Sequence, residues 1–261
     1  MITTLRATPF RLATASKAIS ISTFCFPLHR RYHSYQHPPP TSPFTPAESA
    51  ILSAALRHVP LHGFSTVALS LGARDVGYLD VSVNLIPRGV FDLVKYHLVT
   101  ERLRLKISVD FRRLEQSDGA ENLSVPAKIR VLCVERLKAN LPIIHRWQEA
   151  LGVMSLAENI PASVSELAKL SDEMWFLAGC DSHDMDWYTK RAALSGIYAS
   201  TELFMTQDTS ADFRDTWKFL DRRFSDVKSI ENITSNIATW VDFTAHAFSN
   251  VLQSKNVRFR L

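Results

Sequence analysis

Cys180-Asp181-Ser182-His183-Asp184 places three kinds of metal-binding side chain within five residues. A catalytic zinc takes His, Cys and carboxylate ligands and keeps one position open. Ligands adjacent in sequence rarely converge on one ion without distant partners, so this stretch reads as a solvated loop whose last Asp caps the next helix. A di-iron carboxylate centre needs Glu-x-x-His pairs on facing helices. None occurs: the residues three before His58, His62, His97, His145, His183 and His246 are Ala55, Val59, Val94, Pro142, Cys180 and Phe243. His58 and His62 are four apart, but Pro60 between them is expected to break the helix that would align them. Phosphate loops, dinucleotide glycine patterns and nucleophile elbows are also missing. Cys133 and Cys180 lack metal or redox spacing and read as buried or idle thiols. The residues assign no catalytic group, no metal and no cofactor.

The elements around these residues read as helices. Ile51, Leu52, Ala55 and Leu56 recur at helical spacing, as do Val90, Phe91, Val94 and Leu98, and then Ile129, Leu132, Cys133 and Leu137. Further helices are predicted over about 161–178, 186–205 and 209–227, each opened by Pro, Asp or Thr. Val81-Ser82-Val83-Asn84-Leu85 alternates too briefly to build a sheet. The expected class is all-α. Thr45-Pro46-Ala47-Glu48 offers an N-cap followed by a proline at the first helical position, which is where the folded body should begin.

Upstream of it, Met1–Ala47 holds no Asp or Glu, while Arg6, Arg11, Lys17, Arg30 and Arg31 lie among Ser, Thr, Ala and Leu. That is the composition of a mitochondrial transit peptide, and the interrupting cations exclude the apolar core of a secretory signal. Arg30-Arg31-Tyr32-His33 resembles a matrix-processing site and sets the leader at residues 1–33, followed by a proline-rich linker at 34–45. Removing the leader leaves 25 basic against 26 acidic residues. The basic surface that nucleic acid requires is therefore a property of the leader. No apolar run approaches the ~20 residues that span a bilayer.

Gly63, Gly72, Gly77 and Gly89 cluster in one stretch and predict short helices joined by tight turns between Pro46 and Pro87. The pattern has the look of a helix-turn-helix, with Ser65 capping a helix that ends at Gly72. Reading DNA would require cations and amides at the front of the second helix. From Ala73 to Leu85 there is one cation, Arg74, set against Asp75 and Asp80, so a packing module is favoured over a regulator.

Two stretches resemble the accessory lipid-binding protein family of mitochondrial ubiquinone biosynthesis, partners of the demethoxyubiquinone hydroxylase. The first runs from Gly63-Phe64-Ser65 through Gly72-Ala73-Arg74-Asp75-Val76-Gly77-Tyr78 to Ile86-Pro87-Arg88-Gly89. The second comprises Asp172-Glu173-Met174-Trp175, Asp186-Trp187-Tyr188-Thr189-Lys190-Arg191, Tyr198, Thr201-Glu202-Leu203 and Asp215-Thr216-Trp217-Lys218-Phe219-Leu220. The resemblance implies a TetR-regulator-like helical bundle reused without DNA binding. It implies a non-catalytic protein that holds an isoprenoid quinone intermediate or a phospholipid between helices and presents the quinone to the hydroxylase. The partner-binding surface it implies falls on Asp172, Met174, Asp184, Trp187 and Tyr188, with Arg191 one turn on. Aromatics, Met and Arg suit such a surface, because they bury much area at low entropic cost. One departure is Gly179-Cys180, where the family usually has Gly-Asp.

Past Ser229, Ile230, Ile233, Ile237, Val241 and Phe248 recur at helical spacing with Trp240 beside them. Globular packing is the ordinary explanation of such a stripe; the resemblance favours a terminal helix that contacts the inner membrane from the matrix side through apolar area. The organisation expected is thus a leader (1–33), a linker (34–45), a TetR-like lipid-binding domain (46–228), and an amphipathic helix and tail (229–261), with a homodimer as one assembly this reading admits. The alternative function is a TetR-like mitochondrial DNA-binding regulator.

Overall fold

The computed structural model describes residues 42–109, 111, 123–179 and 186–230, with residues 186, 187 and 227–230 described through their backbone alone. The leader, most of the linker, the Cys180–Asp184 loop and the stripe from Ile233 through Ile237, Trp240, Val241 and Phe248 lie outside the described residues.

Eight α-helices and no strand are found among the described residues, in agreement with the all-α expectation. In chain order they are α1 (Pro46–His62), α2 (Thr66–Asp75), α3 (Val90–Ser108), α4 (Val125–Lys138), α5 (Ile144–Met154), α6 (Ile160–Leu177), α7 (Asp186–Met205) and α8 (Arg214–Ile230).

The caps follow from the sequence. Thr45 and Glu48 form a reciprocal capping box at α1: Glu48 N–H donates to Thr45 Oγ1 at 3.3 Å, and Thr45 N–H donates to Glu48 Oε2 at 2.8 Å. Ser65 Oγ accepts from Ala68 N–H at 3.3 Å and starts α2. Ahead of α8, the Asp208 carboxylate accepts from Ser210 N–H, Thr216 N–H and the Thr216 hydroxyl. Burial opposes that carboxylate, but these hydrogen bonds outweigh it and hold the group at about 2.

Three expectations about the N-terminal unit need correction. Helix α2 runs past Gly72 to Asp75. Gly72 sits in mid-helix because a Cβ there would come within 2.5 Å of the Ala55 backbone nitrogen, so the residue lets two helices touch and does not stop one. The element after the turn is a six-residue 3-10 segment, Asp80–Leu85, where the second helix of a helix-turn-helix was expected. Lastly, α1 continues through Pro60 to His62. A proline one turn from a helix end sacrifices a single hydrogen bond. The neighbouring end carbonyls are satisfied by α5, with Pro60 O facing His145 Nε2 at 3.1 Å and Leu61 O accepting from Arg146 Nη2 at 3.2 Å.

Helix α3 is the axis of the body, touching α1, α4, α5 and α6. Around it lie two apolar clusters. One joins α1, α2, α3 and α5 through Ile51, Leu52, Ala55, Leu69, Leu93 and Trp147. The other joins α4, α6, α7 and α8 through Ile129, Leu132, Leu137, Met174, Ile197 and Leu220. The apolar positions read from spacing in α1, α3 and α4 fall in these clusters or against them, except Phe91, which is buried outside both under the Arg88 guanidinium.

Candidate functional site

Two places hold the candidate functional residues: the end of the α6–α7 pair, and a polar seam between the two apolar clusters.

At the α6–α7 end, the late residues of α6 meet the early residues of α7. Asp172 Oδ1 accepts from Arg191 Nε at 2.6 Å, and the Arg191 side chain is 13% exposed. Trp175 Nε1 donates to Lys190 O at 3.3 Å. These bonds fix the two helices at the point where Tyr188 stands 67% exposed and Phe176 is also exposed. Of the residues expected on a partner surface, Asp172, Tyr188 and Arg191 are brought together here. Met174 is fully buried, its sulfur 3.8 Å from Cys133 Sγ, so its side chain supports this surface from beneath. Asp184 and the Trp187 side chain lie outside the described residues, as does the side chain of Ile230. Phe176 escaped the sequence reading because it follows Met174-Trp175 and belongs to no motif of its own; only its exposure singles it out.

The Cys133 thiol is buried in an apolar setting that pushes it up to about 12, which leaves it unreactive, as its isolation in the sequence suggested. His58 and His62 come to 6.4 Å between ring centroids on the continuous α1. His58 Nε2 lies 2.8 Å from Asp75 Oδ2, an inter-helix tie between α1 and α2. Among the described residues no group of three or more metal-binding side chains converges.

The face that a helix-turn-helix would turn to DNA is occupied otherwise. Arg74 Nε donates to Asp80 Oδ1 at 2.6 Å and its Nη2 pairs with Asp80 Oδ2, so the lone cation of the segment is engaged. Around it the exposed side chains include Leu79, Val81 and Leu85 as well as Asp75, Asp80 and Asn84. The apolar groups among them cannot hydrogen-bond base edges.

The seam lies where α3, α4, α5 and α7 meet. Asn140, fully buried just past α4, is its hub. Its Oδ1 accepts from Arg136 Nη1 at 2.9 Å and lies 2.9 Å from His97 Nε2; its Nδ2 donates to Glu202 Oε1 at 2.8 Å. Arg136 can only donate, which fixes the amide orientation and places the His97 proton on Nε2. Tyr198 also donates its hydroxyl to Glu202 Oε1, at 3.0 Å, and the Arg136 guanidinium lies 5.9 Å from the Tyr198 ring centre. The His97 ring packs edge-on to Trp147 at 5.1 Å.

Burial governs the ionisation of these groups. It pushes His97 down to about 3, helped by the charges of Arg136 and Arg104 and opposed by the Asn140 hydrogen bond. It raises Glu202 against the pull of Arg136 and of its hydrogen bonds, and raises Tyr198 well above its ordinary value. Glu202 and Tyr198 were noted in the sequence as part of a motif; that they form one network with His97, Arg136 and Asn140 was not.

The chain is similar to known proteins over most of its length. The family model described as COQ9 matches residues 160–231, which covers α6, α7 and α8. The fission yeast Schizosaccharomyces pombe "Ubiquinone biosynthesis protein coq9, mitochondrial" is 32% identical over 229 residues, covering 87% of this chain and 88% of that protein. "Ubiquinone biosynthesis protein COQ9-B, mitochondrial" of Xenopus laevis is 37% identical over 193 residues, covering 74% and 66%. "Ubiquinone biosynthesis protein COQ9, mitochondrial" of Homo sapiens is 35% identical over 188 residues, covering 72% of this chain and 59% of the human protein.

Proposed function

The chain belongs to the COQ9 family of ubiquinone-biosynthesis proteins, and on that premise we propose that it binds an isoprenoid quinone intermediate and presents it to the demethoxyubiquinone hydroxylase. In this reading the protein is a carrier and the chemistry is the partner's. It works on the matrix side of the mitochondrial inner membrane, with residues 229–261 as the membrane contact.

The observation that carries the proposal is the α6–α7 end. Tyr188 and Phe176 are exposed there, beside the Asp172–Arg191 ion pair, within the segment that the family model matches. Aromatic side chains are enriched at partner surfaces. Interface energy concentrates in such anchors.

The test is capture of the hydroxylase by the immobilised leaderless chain and its Tyr188→Ala variant. Loss of an anchor is worth about 2 kcal/mol, or roughly thirtyfold in Kd. Unchanged capture by a variant that remains folded would remove the hydroxylase surface from the α6–α7 end. In the same preparation, liposome flotation should be lost when the chain stops at residue 228.

A further inference from the structure

The seam encloses hydrogen-bond donors that none of its acceptors reaches. Asn140 Oδ1 uses both lone pairs, on Arg136 and His97, and Glu202 Oε1 takes both Asn140 and Tyr198. Arg136 is 1% exposed and remains charged at any pH a protein meets. Its Nε and Nη2 have no acceptor within hydrogen-bond distance among the described residues. Trp147 turns its indole N–H toward Glu202 without closing a hydrogen bond. Buried donors of this kind are rare because each one left unpaired is costly.

We propose that Arg136 is the polar contact of a buried ligand site, donating from Nε and Nη2 to an uncharged, acceptor-only oxygenated headgroup such as the ring carbonyl of a quinone. The inference rests on the lipid-carrier reading above and adds the atom that recognises the ligand. Three features select the class. A headgroup with hydroxyl or amide protons would bring more donors to a place already in surplus. A phosphate would bring negative charge beside Glu202, enclosed in the same seam. A carbonyl supplies acceptors and no charge. The location fits an amphiphile as well: the seam joins two apolar clusters, so a ring held by Arg136 leaves its isoprenoid tail to apolar side chains. Asn140, itself held by Glu202, acts as the positioning residue, accepting from Nη1 and leaving the other edge of the guanidinium available.

The experiment compares the leaderless chain with Arg136→Met, which keeps an unbranched apolar stem as far as the Nε position and loses every donor. The probes are a benzoquinone carrying two isoprene units and a C10 isoprenoid hydrocarbon without the ring, each titrated by calorimetry in the same detergent. The variant should bind the quinone roughly tenfold or more weaker and the hydrocarbon with little change. Equal loss for both probes, or no loss for either, overturns the assignment of Arg136. Binding of neither probe by the unaltered chain instead defeats the carrier reading itself. Should Arg136→Met fail to fold, Arg136→Lys carries the same comparison, since it keeps the charge and loses the Nε donor and the planar fork.

Discussion

The α1–α2 contact and the seam are both buried, and they are built on opposite principles. At the first, a glycine removes a side chain so that two backbones meet: Gly72 lies against Ala55, with Leu52 and Leu69 in the same cluster. Nothing polar is enclosed at the point of closest approach, and its energy is packing. At the second, five polar side chains from three helices and a connecting turn are enclosed, and their energy depends on mutual satisfaction. A dry contact fails in proportion to volume. A polar network fails when one member leaves the rest unpaired.

The sharpest break in this comparison is Glu202→Ala. It leaves the Arg136 charge enclosed without its carboxylate and strands the Tyr198 hydroxyl and the Asn140 amide. Each buried group left unpaired costs about 1–3 kcal/mol. Urea unfolding of the leaderless chain should show that loss, with a smaller one in Glu202→Gln, which keeps the shape and an acceptor. A deficit under about 1 kcal/mol in Glu202→Ala would mean that the seam is hydrated and behaves as a surface.

This difference also decides what could be read in the sequence. Helical spacing found the apolar faces of α1, α3 and α4, because each pattern lies within a dozen residues and packing respects it. The capping box at Thr45 was legible for the same reason. The seam was not, because His97, Asn140 and Glu202 are separated by 43 and 62 positions and only the tertiary fold joins them. One polar residue on each of several helices has the pattern of a solvated face. Pro60 misled in another way: the rule that proline breaks a helix holds for interiors, and position 60 is the last turn of α1. The resemblance had grouped Asp172, Tyr188 and Arg191; in the fold Asp172 pairs with Arg191 and Tyr188 is exposed. The burial of Met174 depends on α4, which supplies Cys133 from far upstream.

Glycine gives a second and smaller test. Gly72→Ala drives a Cβ into the Ala55 backbone, where no flexible side chain can yield, and overpacking of this kind costs about 1–3 kcal/mol. Gly152→Ala in α5 meets nothing within 4 Å and should gain up to about 1 kcal/mol from helix propensity. The same chemical change therefore carries opposite signs at two helix positions. Equal midpoints for the two variants in denaturant would show that α1 and α2 slide to accommodate the methyl group, and the contrast with the seam would weaken accordingly.

Acid separates the two regions without truncating either. His97 is held neutral in the fold, titrating near 3, by burial first and by the charges of Arg136 and Arg104, with Trp147 against its ring. In the unfolded chain the imidazole takes a proton near pH 6.5. The folded state is thus depressed relative to the unfolded one, so the stability that His97 contributes is complete above pH 6.5 and drains away as the pH falls toward 3. At pH 5.5 the loss is on the order of 1 kcal/mol. His97→Gln keeps an amide donor for Asn140 and cannot titrate, so between pH 7.5 and 5.5 it should escape that loss while carboxylates elsewhere contribute equally to both proteins. Gly72→Ala should keep the wild-type slope, because neither Gly72 nor Ala55 has a side chain that binds a proton. If His97→Gln instead tracks the wild type through this range, the imidazole is protonated inside the fold and the seam is open to water.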